Sequence, residues 1–138
     1  MNPNEWKQKG RISIWSYEGK PRNYPGWHLN CDEVGAASLR RLVASLANSP
    51  VLSKRTVSVT RPVQDQLSVP NCLAKPRAPE KLVLEVSPKW FISEVGDKVL
   101  LGFPVEMAAE LDIGLQSLSQ GDGDYYIGEK GSELWFWW

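Results

Sequence analysis

The last six residues, Glu133, Leu134, Trp135, Phe136, Trp137 and Trp138, constrain the fold more than any other stretch. They set three of the chain's seven tryptophans and a phenylalanine side by side. Each such ring removes roughly 150 to 250 Å² from water when buried. Left in solvent, a run of this composition invites aggregation, so it must enter a sheet or meet a partner. It reads as a closing β-strand, and strand alternation then sends Trp135 and Trp137 to one face and Phe136 and Trp138 to the other. Tyr125, Tyr126 and Ile127 precede it across a turn at 128–132, which predicts a hairpin with large rings on both faces.

The remaining chain supplies elements to receive that strand. Arg11 to Tyr17 alternates with Ile12 and Ile14 on one face and Trp15 and Tyr17 on the other, so it reads as a first strand with both faces partly covered, after a loose lead-in over residues 1–10. A short strand at Trp27 to Leu29 leads into a helix whose core face is Leu39, Leu42, Val43 and Leu46, with Asn30 as N-cap and Glu33 three residues on. Lys54 to Arg61 alternates around Val57 and Val59. Lys81 to Val86 is a strand, and Lys89 to Phe103 a hairpin turning at Gly96. Pro104 opens a second helix through Met107, Leu111, Leu115 and Leu118, with Gly114 expected to divide it and Gly121 to end it. The stretch 62–79 holds four prolines and no periodicity, and reads as an irregular loop. This order predicts one α+β domain over 1–138, an antiparallel sheet of about six to eight strands carrying two helices.

Composition then narrows function. The sequence has no run of about 18 apolar residues and no apolar segment near its start, so a cytoplasmic protein without a membrane span is expected. Cys31 and Cys72 lack metal-ligand spacing, and with one histidine no zinc site is expected. No phosphate-cradling glycine motif occurs, so no cofactor is expected either. The formal net charge of zero hides a division: residues 1–77 carry twelve bases and five acids, residues 78–138 four bases and eleven acids. Nucleic-acid binding through the basic half is one reading of it, with Trp15, Tyr17, Tyr24 and Trp27 as stacking surfaces, but the acidic half repels the same phosphates.

Two catalytic candidates stand out. His28 and Cys31 lie three residues apart at a strand-to-helix junction, where a helix N-terminus can lower a thiol pKa. A protein-binding role draws more support, because aromatic residues dominate interface hot spots, which nominates Trp27, Trp90, Trp135, Phe136, Trp137 and Trp138 as partner-binding residues. The small size, aromatic ending and acidic second half resemble small bacterial accessory proteins such as immunity or inhibitor proteins, and that resemblance implies a non-enzymatic domain that occupies a protein partner's surface or self-associates. The alternative is a small-ligand or enzyme module with an aromatic-lined pocket between the sheet and the 62–79 loop.

Overall fold

The computed structural model describes residues 2–17, 26–62, 76–119 and 125–137. Nine strands among them form two mixed sheets, with two helices, an α+β architecture. The strands are β1 (Ile12–Tyr17), β2 (Trp27–Cys31), β3 (Lys54–Ser58), β4 (Pro76–Arg77), β5 (Lys81–Val86), β6 (Phe91–Val95), β7 (Lys98–Phe103), β8 (Tyr125–Ile127) and β9 (Leu134–Phe136). The helices are α1 (Glu33–Ala47) and α2 (Ala108–Ser119), the latter entered through a 3-10 turn at Val105–Met107.

The closing hairpin forms as its pattern requires, with Tyr125 opposite Phe136 and Ile127 opposite Leu134. Its partner on the other side is a long-range one: β9 runs parallel to β2, with Trp27 level with Leu134 and Leu29 level with Phe136. The five-stranded sheet has the order β4-β1-β2-β9-β8, and the four-stranded sheet the order β3-β5-β7-β6. Strands buried on both faces, as β1 is throughout, need two covers, and the second sheet with the helices provides one of them. Ile14, Leu29 and Leu134 from the first sheet meet Leu82, Leu84 and Leu101 from the second, with Leu39, Val43, Leu111 and Leu115 from the helices closing the gap.

Several boundaries differ from the sequence expectation for identifiable reasons. The strand β2 continues to Cys31, so Asn30 is a strand residue whose amide donates to the Trp137 carbonyl at 2.6 Å, and Asp32 takes the N-cap, accepting from Gly35 N–H at 2.6 Å. Gly114 does not divide α2. A Cβ there would lie 2.3 Å from the Phe136 ring, so the glycine is the notch that lets helix and terminal strand touch. The lead-in is anchored as well: Trp6 is buried, its Nε1 donates to the Ser38 carbonyl at 2.7 Å, and Arg55 lies over its ring. Residues Pro76 and Arg77 of the expected irregular loop pair with β1. The loop segment 63–75 lies outside the described residues, as do Gly121, Cys72 and Trp138.

Candidate functional site

The first sheet has two faces of different character. Alternation directs Ile12, Ile14, Leu29, Cys31, Leu134 and Phe136 toward the helices. The opposite face carries Ser13, Trp15, Tyr17, His28, Asn30, Tyr126, Trp135 and Trp137. His28 sits at its centre. Trp15 stacks on the imidazole at 5.6 Å between centroids, while Tyr17 and Trp137 present edges at 5.3 and 5.7 Å.

This enclosure sets the chemistry of His28. Neither ring nitrogen makes a hydrogen bond of good geometry among the described residues, the Trp15 backbone offering only a poor one, and the side chain is fully buried. Burial lowers its pKa from 6.5 to about 4, with the backbone of Trp15 opposing the shift, so the ring is neutral at physiological pH. Ser13 Oγ and Arg11 Nε are likewise buried without partners, and strand alternation puts Ser13 and Arg11 on the same side as His28. All four orphaned atoms among the described residues therefore share one face. They are closed even to water, which makes this face a packed aromatic layer rather than an open cleft.

The structure does not bring the two catalytic candidates together. An odd separation along one strand points His28 and Cys31 to opposite faces of the sheet. Cys31 is buried among core residues, where burial first and the neighbouring Asp32 second push its pKa upward, against a smaller opposing effect of Arg11. A thiol in that state is not a thiolate nucleophile. Among the described residues no three His, Cys, Asp or Glu side chains converge in a way that could hold a metal ion.

The six aromatic partner candidates also part company. Phe136 and half-buried Trp27 serve the core, and Trp90 is tied to the β8–β9 turn by a 2.7 Å bond from its Nε1 to the Ser132 carbonyl. Trp137 belongs to the cage around His28, and Trp138 lies outside the described residues. Trp135 is only partly covered and packs on exposed Tyr126 at 4.6 Å.

Exposed apolar surface concentrates elsewhere. Among the described residues seven large hydrophobic side chains are more than half exposed: Val34, Val51, Leu52, Val95, Val105, Ile113 and Tyr126. Five of them, all but Val95 and Tyr126, lie on the helix pair, on the entry turn of α2 or in the segment that follows α1. Arg40 pairs with Asp112 at 2.7 Å while Ala47 and Asn48 share a groove with Val105 and Ala108, so the helices are antiparallel. That groove has a volume of about 360 Å³ and a floor of Val43, Ala44, Ala47, Ala108 and Ala109. A second hollow of about 290 Å³, lined by Asn2, Asn4, Pro50 and Val51, continues from the shared residue Asn48. Sequence reasoning passed over this surface because alanine and valine between charged residues read as ordinary helix filling. The outward stripe Val34, Ala37, Arg41, Ala44 and Asn48 does recur at helical spacing.

The charge division of the sequence is bridged at two places. Both ion pairs among the described residues, Arg40 with Asp112 and Arg77 with Glu94, join a base of the first half to an acid of the second. No described helix is long and apolar enough to cross a membrane. With an α+β fold and this geometry in hand, comparison with known protein families, with characterised proteins and with solved structures finds no match to the chain.

Proposed function

We propose that this chain is a non-enzymatic protein-binding domain, of the kind that acts by occupying a partner's surface, and that it binds through the outward side of the α1–α2 pair. The observation that carries this reading is the exposure of Val105 on the groove between the helices, of Ile113 next to the groove residue Asp112, and of Val51 on the adjoining hollow, each more than half exposed. Apolar side chains gathered in this way mark interaction surfaces, whereas single ones scattered over a surface need no explanation. The groove between the helices adds a concave floor of small residues that another helix or loop can enter. His28 and Cys31 contribute nothing catalytic here, since one is a neutral ring inside an aromatic cage and the other a core thiol.

A photo-crosslinking side chain at Ile113 tests the reading against one at Val95, which is equally exposed but lies on the second sheet. The expected result in cells is a discrete protein adduct from position 113 and none from position 95. Equal adducts from both positions, or none from 113, contradict it.

A further inference from the structure

We infer that the partner of the helical side is a second copy of this chain, joined about a two-fold axis that runs parallel to α1 and α2 and between them; this rests on the proposed binding role of that side. The argument is charge complementarity around an apolar centre. α1 carries Arg40 and Arg41 against one acid, Glu33, whereas α2 with its entry turn carries Glu106, Glu110 and Asp112 and no base. Arg40 and Asp112 already neutralise each other within the chain. Arg41, Glu106 and Glu110 have no ion-pair partner among the described residues and are exposed. One helix thus keeps an unmatched base and the other two unmatched acids, on the two rims of one apolar strip.

Self-complementary surfaces close into dimers when a two-fold axis maps each patch onto its counterpart. Here the axis lays α1 of one copy on α2 of the other, twice. Because Arg40 stands level with Asp112 in the antiparallel pair, the rotation sets Arg41 level with the turn of Glu110 in the second copy. On a helical wheel both side chains point to the same outer flank, about 100° per residue from the groove-lining positions. Between the two rims Ala44 and Ala109 allow close approach, and Val105 and Ile113 supply the apolar area. A face-to-face arrangement of α1 on α1 instead opposes the like-charged Arg41 residues. Glu33, at the far end of α1, finds no base in either arrangement.

Sedimentation of the purified full chain across a wide concentration range tests the inference. The expected result is a concentration-dependent dimer that Ile113→Asp converts to monomer, while its circular-dichroism spectrum, and its melting curve at a dilution where the parent chain is itself monomeric, stay those of the parent chain. Arg41→Glu raises the dissociation constant on the order of tenfold, and combining it with Glu110→Arg restores dimerisation, since the swap re-forms both ion pairs with reversed polarity. A monomer at all concentrations, or a dimer indifferent to all these changes, overturns the second-copy assignment. A monomer that nevertheless forms a crosslink to a different protein from position 113 overturns only this inference and leaves the binding role standing. Absence of any crosslink from 113 removes both.

Discussion

The outer face of the five-stranded sheet and the outer side of the helix pair distribute their residues in opposite ways. The sheet face holds the large rings, Trp15, Tyr17, His28 and Trp137, and hides them. The helical side holds alanines, valines and one isoleucine, and exposes them. A large ring gains most when its whole surface leaves water, so a fold that can stack rings against one another does so, even when a histidine is trapped among them without a hydrogen bond. Richness in tryptophan therefore marks where this molecule is held together.

The largest effect is expected where the sheet face is built. Removing Trp135 to Trp138 takes away Phe136, a fully buried core ring of β9, and Trp137 just beyond it, a wall of the His28 cage. Losses of about 3 to 5 kcal/mol for each of these two rings are together comparable with the whole usual margin of stability. The truncated chain should show no cooperative melting transition. A truncation that melts cooperatively breaks the claim that this face is structural.

Gly114→Val comes next. The added side chain must enter space held by the Phe136 ring, and overpacking of this kind costs typically about 1 to 3 kcal/mol. A lowered melting temperature measured by calorimetry is expected, and an unchanged one would mean that helix and terminal strand are not in contact. The same substitution at exposed, groove-side Ala109 has no such ring to displace.

His28 gives the comparison a pH axis. Its pKa is depressed in the folded state to about 4 from 6.5, so the neutral form is the one that folding favours. Stability from this group is complete above pH 6.5, falls as acidification protonates the unfolded chain but not the folded one, and levels off below about pH 4. The loss amounts to about 3 kcal/mol. His28→Leu should melt at or above the wild-type temperature near neutral pH, because it removes two orphaned nitrogens, and should lose this component of the acid dependence. Identical acid dependence in both proteins would show that His28 is solvated.

The smallest structural effect belongs to the helical side. Ile113→Asp exchanges one exposed residue for another and should change stability within about 0.5 kcal/mol in urea titration at a dilution where the parent chain is monomeric. A large loss would mean that Ile113 is a core residue, and the contrast between the two regions would collapse.

Much of this architecture was legible in the sequence, because local patterns fix local structure. Leu39, Leu42, Val43 and Leu46 form the buried face of α1 as their spacing requires, and Val57, Val99 and Leu101 alternate into the core. Gly96 adopts a φ of +61° between β6 and β7, as the turn there needs. What escaped were long-range choices. Nothing near Leu134 says that its strand will lie parallel to Trp27, and nothing near Gly114 says that a ring 22 residues later will rest on it. Asn30 passes for a helix cap until its amide is seen holding the Trp137 carbonyl. The site followed the same rule: the rings drew attention by type, while exposure, which no single sequence displays, singled out Val34, Val105 and Ile113.

Hydroxyl-radical footprinting tests that division most directly, comparing the chain in an extract of its own cells with the purified chain at high dilution. Val34, Val105 and Ile113 should lose reactivity in the extract while Tyr126 and Trp135 keep theirs; protection of Tyr126 and Trp135 with the helical side unchanged would contradict it.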